Sequence, residues 1–321
     1  MLTILYSEGG RTEQRLSVDL RWLAPDSPGV LWVDLADPTP EETSILSTVF
    51  GFHELAIEDA VSVTHHPKIE TYESYVYMIL HGIDFNAAQS RFATHDTDFF
   101  IGPRYLVTVH DGKTRSISQI RGLCGKASFF LDEGPLALTH RIIEAMVGHY
   151  RPEIEKLTDK LDRLEQAVVE RPSPEHMKVI LSIKRDVASL RRIVHPQRDV
   201  VSRLARRELP MVTESLAYRF RDVYDSLVRL TDEAVYFQDR ISGLLDAHLS
   251  SMSNRLSQVM KMLTLIATLF MPMTMLTGLY GMNVHLPQLP GGPDMQFWWV
   301  MGGLSTTGIG MVVFFVTRKW L

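Results

Sequence analysis

Lys261–Asn283 reads KMLTLIATLFMPMTMLTGLYGMN, and from Met262 to Met282 it holds no charged side chain. A helix crosses a hydrocarbon core of about 30 Å with about 20 residues, so this run is long enough to span. A second uncharged run, Met295–Thr317, follows almost at once. Two such runs back to back, with polar flanks, predict membrane helices rather than buried core helices. The expected spans are 262–282 and 297–317, joined by an external loop at 283–296.

The flanks orient them. Arg255 and Lys261 precede the first span, Arg318 and Lys319 follow the second, and the intervening VHLPQLPGGPD carries neither Lys nor Arg. The excess of Lys and Arg on the cytoplasmic side places both termini in the cytosol and the loop outside, in the cell's inner (plasma) membrane. Trp298, Trp299 and Trp320 fit interfacial anchors in the lipid bilayer. Two spans cannot enclose a pore in one chain, so either they are an anchor or several copies assemble. Gly302, Gly303, Gly308 and Gly310 on the second span permit close helix contact.

Upstream, no proline occurs between Pro210 and Pro272, and apolar positions step in threes and fours. Leu216, Phe220, Val223, Leu227, Leu230, Ala234, Phe237, Ile241 and Leu244 form one series. Leu245, Leu249, Met252, Leu256, Val259 and Leu263 form a second, shifted by one residue beside Gly243. This heptad-like stripe predicts a stalk helix running unbroken into the first span. About 50 residues give it roughly 75 Å before the membrane. The alternative is two helices bent near Gly243. Ahead of the stalk, one helix is expected from about Pro135 to Glu170 and another from Ser173–Pro174 to about Arg207, with Pro196 as a kink.

The first 130 residues differ in texture. Strand-like runs at Leu2–Tyr6, Val30–Asp34, Tyr75–Ile83, Thr97–Ile101 and Tyr105–His110 alternate with helix-like Pro40–Phe50 and Glu54–Val61. That mixture predicts an α/β domain. The expected organisation is therefore a cytosolic α/β domain (1–133), a helical layer and stalk (134–261), and a transmembrane domain (262–321).

The bulk figures hide this unevenness: 321 residues, net charge −5 and 45% hydrophobic residues, with a sequence pI near 6.2. Mild acidity argues against nucleic acid as a partner. The single Cys124 cannot form an intrachain disulfide, which suits a reducing compartment. The N-terminal MLTILYSEGGRTEQ lacks the features of a signal peptide. There is no Walker A sequence, no G-x-G-x-x-G after a strand and no G-x-S-x-G elbow, so no enzyme activity or catalytic cofactor is expected. His53, His65 and His66 lie near Glu58 and Asp59 but match no zinc spacing, which favours a structural or surface role.

The Lys261–Asn283 segment resembles the first span and signature of the CorA family of divalent metal-ion transporters. Its Gly-Met-Asn signature is Gly281, Met282 and Asn283 after Tyr280. FRDVYDSLVRL, SGLLDAHLSSMSN, AIEDAVSVTHHPKIETYESYVYMIL and the terminal RKWL are similar to the family's other segments. The resemblance implies a funnel-shaped homo-pentamer whose first spans line a pore at Met260, Leu263, Met271, Thr274 and Asn283. It also implies feedback by cytosolic Mg2+ bound between subunits, with Asp222 in FRDVYD as ligand and Asp84 as partner from the neighbouring subunit. The spacing is an independent check: Met260, Leu263, Ala267, Met271, Thr274 and Gly278 fall on one helical face.

Met, Leu and Thr offer no carboxylate, and Mg2+ gives up water reluctantly. The expected cargo is therefore a largely hydrated ion, hydrogen-bonded through its waters to Asn283 and backbone carbonyls. Leu263 and Met271 are expected to close the path by dewetting. A divalent ion gains about 4.6 kcal/mol per 100 mV on moving inward, so no fuel site is needed. The external loop carries one carboxylate, Asp294, beside His285, Gln288 and Pro-Gly-Gly-Pro. With the Phe-Trp-Trp start of the second span, it is similar to the zinc-transporting branch of the superfamily. Zn2+, Co2+ or Ni2+ transport is the competing reading, and a non-conducting membrane-anchored sensor is a further one.

Overall fold

A computed structural model describes residues 1–62, 66–86, 91–126, 129–170, 173–282 and 290–320. The chain forms two compact units, Met1–Asp246 and Ala247–Leu321. In the first, β1 (Leu2–Glu8), β2 (Arg11–Arg15), β3 (Val30–Ala36), β4 (Lys68–Thr71), β5 (Val76–Asn86), β6 (Arg91–Ile101) and β7 (Tyr105–His110) make one sheet. Its order is β2-β1-β3-β7-β6-β5-β4. The β3–β7 pair is parallel and the other pairs are antiparallel.

Helices cover both faces. Leu31, Val33 and Leu35 alternate with Val30 and Trp32 along β3, and all five are buried. The odd-numbered set packs with Leu46 of α1 (Pro40–Thr48) and Ala56 and Ala60 of α2 (Glu54–Val61). Trp32 and Val30 face α3 (Arg115–Cys124), α4 (Phe129–Asp132), α5 (Pro135–Gly148), α6 (Tyr150–Glu170) and α7 (Pro174–Ala205) through a continuous core. A strand buried on both faces reads as a near-continuous hydrophobic run, as VLWVDLA does. Its one acid, Asp34, is 1% exposed. It accepts from Thr108 Oγ1 at 2.7 Å, His110 Nε2 at 3.1 Å and Arg121 Nη1 at 3.0 Å, which ties β3, β7 and α3 together.

The expected single helix Pro135–Glu170 is instead two, α5 and α6, meeting at His149. Pro152 has no N–H to give the Gly148 carbonyl, so the ladder fails there. The two unforeseen strands, β2 and β4, are polar and lie at the sheet's two edges. By contrast, α7 passes through Pro196 as one helix. The last two helices are α8 (Glu214–Tyr280) and α9 (Pro293–Thr317). Gly243 lies inside α8, which is a single helix of 67 residues rather than two.

The α8 stripe explains its first part. Phe220, Val223, Leu227, Ala234, Phe237 and Ile241 are all buried in the core shared with α6 and α7. Past Asp246 the environment changes. Leu249, Leu256, Val259, Met260 and Leu263 are more than half exposed. Both α8 and α9 contain stretches long and apolar enough to cross a membrane, and those stretches are almost wholly exposed.

Candidate functional site: an uncovered face of the first span

Within the unit Ala247–Leu321, α9 shields one side of α8. The less exposed positions of the span are Leu265, Leu269, Pro272, Met273 and Leu276. The corresponding positions on α9 are Leu304, Thr307, Gly308, Met311 and Phe315. Gly308 marks the close approach, since a Cβ there would collide with Met273 Cε. This is the use of a small residue at a membrane helix contact.

At about 100° per residue, the candidate pore positions lie on the opposite side. Met260, Leu263, Ala267, Met271, Thr274 and Gly278 occupy an arc of about 80°, centred about 180° from the shielded face. All six are exposed, Met271 at 76%. One chain therefore leaves uncovered the face that the sequence spacing singles out.

Thr274 adds a polar group to it. Its Oγ1 donates to the Phe270 carbonyl at 2.9 Å. With its proton committed to the helix, the hydroxyl presents lone pairs outward. Water bound to a cation points its hydrogens away from the ion, so such a group suits a hydrated ion. The sequence signal is a Thr inside a helical run, four residues after a backbone carbonyl that can accept its proton.

Gly281 and Met282 follow the end of α8, and the Gly281 N–H reaches the Thr277 carbonyl at 2.9 Å. Asn283 lies outside the described residues.

Asp222 is placed elsewhere, on an exposed part of α8 in the unit Met1–Asp246. It borders a groove of about 610 Å3 between α8 and the α5–α6 pair. Glu144, Glu155 and Glu233 line the same groove, together with Arg151 and Arg229. The Asp222 carboxylate makes no ion pair among the described residues, while its backbone carbonyl accepts from Ser226 Oγ at 2.9 Å. Asp84 is on β5, in register with Ala93 of β6. No group of three or more His, Cys, Asp or Glu suited to a metal occurs among the described residues.

The histidines near α2 have other work. His53 caps α2, its Nδ1 accepting from the Leu55 N–H at 3.2 Å. His66 is exposed, Asp59 pairs with Lys68 at 2.5 Å, and His65 lies outside the described residues.

Sequence reasoning missed a buried acid. Asp98 on β6 is 3% exposed and accepts from the Tyr77 hydroxyl at 2.6 Å. Burial pushes its carboxyl up to about 8, against the opposing Tyr77 bond and with help from the negative charge of Asp96 and Asp59. The available signal was an acid flanked by Phe99 and Phe100 in a strand.

Comparison with known proteins bears on the whole chain. The family described as CorA-like Mg2+ transporter protein matches residues 27–319. The cobalt/magnesium transport protein CorA of Thermotoga maritima is 32% identical over 312 residues, covering 92% of this chain and 85% of that protein. The zinc transport protein ZntB of Yersinia pseudotuberculosis is 26% identical over 294 residues, 90% of this chain and 88% of its own. Among solved structures, the CorA magnesium transporter from Methanocaldococcus jannaschii superposes with a TM-score of 0.85 at 23% identity, covering 99% of this chain and 98% of that one.

Proposed function

The chain belongs to the CorA-like Mg2+ transporter family, and from that premise we propose that it conducts Mg2+ inward as a homo-pentamer in the inner membrane. It is a membrane protein and a divalent-cation transporter of the CorA superfamily. The choice of ion, the subunit number, the orientation and the residue roles are our reading.

One observation carries it: α9 shields one side of the first span, and the opposite side, with Met260, Leu263, Met271 and Thr274, is left uncovered. Five such faces around an axis give a narrow lining of apolar rings and hydroxyls. Apolar rings at Leu263 and Met271 hold back water until the lining widens. Thr274 and Asn283, with Gly281 and Met282 setting the turn before it, accept hydrogen bonds from the ion's water shell. Mg2+ keeps its waters, so a lining without carboxylates passes it without the cost of stripping them. The membrane potential supplies about 4.6 kcal/mol per 100 mV. Basic flanks at Arg255, Lys261, Arg318 and Lys319 keep both termini cytosolic. Asp222, with Asp84 of a neighbouring copy, forms the regulatory site for cytosolic Mg2+.

A second reading has its own support. The external loop holds one acid, Asp294, and the second span opens Phe297-Trp298-Trp299, and a zinc transport protein is among the relatives. Zn2+, with Co2+ or Ni2+, is the alternative cargo. Proteoliposomes loaded with ion-sensitive dyes and given an inside-negative potential separate the readings. Mg2+ uptake above that of Zn2+, Co2+ and Ni2+ is expected. Zn2+ uptake with no Mg2+ flux selects the second reading, and no flux of any ion leaves the non-conducting sensor.

A further inference from the structure

The unit Met1–Asp246 carries a groove of about 500 Å3 between α7 and α8. Its floor is apolar: Val187 and Ile241 are buried, with Ala188 and Pro196 beside them. Its walls carry cations: Lys184, Arg191 and Arg192 share one face of α7 with His195, whose Nδ1 lies 3.7 Å from the Asp199 carboxylate, and no carboxylate lines the groove itself.

That patch runs against the rest of the molecule. The chain is acidic overall, and three other arginines of α7 and α8 are matched. Arg198 bonds Asp199 at 3.0 Å, Arg203 bonds Glu208 at 3.2 Å, and Arg240 holds both Asp162 and Glu165. Lys184 and Arg192 make no ion pair or side-chain hydrogen bond among the described residues. Arg191 donates to Gln238 Oε1 at 3.0 Å. A neutral amide fixes that guanidinium in place without cancelling its charge.

We propose that this groove binds a phosphate group carried on an apolar moiety, with a nucleoside polyphosphate as its soluble form. A guanidinium fork matches phosphate oxygens in geometry and charge, and Arg191 is already oriented. The apolar floor takes a flat or aliphatic group beside the phosphate. The volume lies within the range of small-molecule sites, which runs from about 300 to 1,000 Å3. An anionic lipid headgroup offers the same chemistry from the membrane. The site shares no residue with the proposed pore face or with the groove beside Asp222, so it does not depend on which ion is carried.

Calorimetric titration of the full chain in neutral detergent with EDTA tests this, using ATP, tripolyphosphate, adenosine and dihexanoyl phosphatidylglycerol as probes. ATP and tripolyphosphate are expected to bind saturably and in competition, adenosine not at all, with affinity falling as salt is raised. Loss of one charged hydrogen-bond donor in Arg192→Gln is expected to weaken binding about tenfold. Lys184→Gln should act likewise. Arg203→Gln, whose guanidinium is tied to Glu208 and the Ile69 carbonyl, should leave binding unchanged, and melting temperatures of all three report folding. Binding confined to the short-chain lipid, and lost in Arg192→Gln, keeps the phosphate site and assigns its source to the membrane. No saturable binding by any phosphate probe overturns the proposal, as does equal affinity in wild type and Arg192→Gln. A change in oligomeric mass in Arg192→Gln without any ligand binding overturns it too, and gives the groove to contact between copies.

Discussion

Gln197 donates a 2.7 Å hydrogen bond from its side-chain amide to the Tyr150 hydroxyl, deep between α6 and α7. The pair closes an open sheet edge. β4 reaches only to the Ile79 register of β5, so β5 continues past it with no strand on that side among the described residues. There Gln197 Oε1 accepts from the His81 N–H at 3.1 Å, and the Tyr150 hydroxyl donates to the His81 backbone carbonyl at 2.8 Å. Unpaired backbone groups at an edge invite pairing with another chain, and covering them with helices avoids it.

Tyr150→Phe should therefore destabilise the protein although it keeps the ring. The His81 carbonyl and the Gln197 amide each lose a partner while remaining buried, at a cost of about 1–3 kcal/mol. Gln197→Leu should cost a similar amount, and the double variant less than the sum, because the two act through one network. Denaturant melts of the four proteins give the cycle. Strict additivity would show that the bonds work independently.

The Tyr77–Asp98 pair predicts a pH dependence. In the fold Asp98 holds its proton to about pH 8, whereas an unfolded aspartate releases it near 4. Between those values the folded state binds more protons, so the contribution of this group to stability falls as pH rises from about 4 to about 8. Below that window the contribution is fully present. Asp98→Asn, which is neutral throughout, should flatten this part of the stability curve. Melting temperature against pH for the two proteins checks it; parallel curves would place the charge elsewhere.

Thr274→Val keeps the shape of the side chain and removes its oxygen. If the hydroxyl accepts from the ion's water shell, flux should fall several-fold at unchanged assembly, since a lost hydrogen bond is worth about 1 kcal/mol. Stopped-flow uptake into liposomes measures it. Flux equal to wild type would leave Thr274 as a helix residue bonded to Phe270 and nothing more.

Asn283→Ala should bring transport to background while the oligomer survives. The substitution removes the amide that would meet the hydrated ion and leaves both spans complete. Flux and mass in detergent are to be read on the same preparation. Wild-type flux in this variant would falsify the filter role and leave Asn283 as a helix cap.

Much of this architecture was legible because its signals are one-dimensional. Charge-free runs, a stripe stepping in threes and fours, and the strand-like run Val30–Asp34 all survive without partners in view. β2 and β4 were not legible, because RTEQR and KIET have no apolar alternation; they form only because a neighbouring strand offers its edge. The break at His149 was hidden for the opposite reason: the apolar pattern continues through it, and Pro152 interrupts only the hydrogen-bond ladder. The face of α8 that α9 shields required two helices at once. Its uncovered counterpart could be named from spacing, but its exposure could not. Asp98 stood inside the strand-like run Thr97–Ile101 with nothing to mark it as buried until the core closed over it.

Asp222 gives the last prediction. Asp222→Ala should weaken closure by cytosolic divalent ions and raise flux at high internal Mg2+. Asp222 sits exposed on α8 with no ion pair among the described residues, beside a groove that also holds Glu144, Glu155 and Glu233. Acids on several copies around one axis repel each other when no cation lies between them. A divalent ion shared between copies relieves that repulsion and favours the compact arrangement. Arg151 and Arg229 in the same groove offset part of the charge within one chain, so the ion's effect depends on the acid contributed from the next. A ligand shifts an equilibrium only by its differential affinity for the two states. Removing one carboxylate per subunit removes part of that differential, so the midpoint of closure should move to higher Mg2+, several-fold, with maximal flux unchanged. Asp222→Asn, which keeps the shape, should do the same if charge is the cause. Conductance titrated against internal Mg2+ in the three proteins decides it: superimposable curves would make Asp222 a solvated stalk charge and move the regulatory site elsewhere.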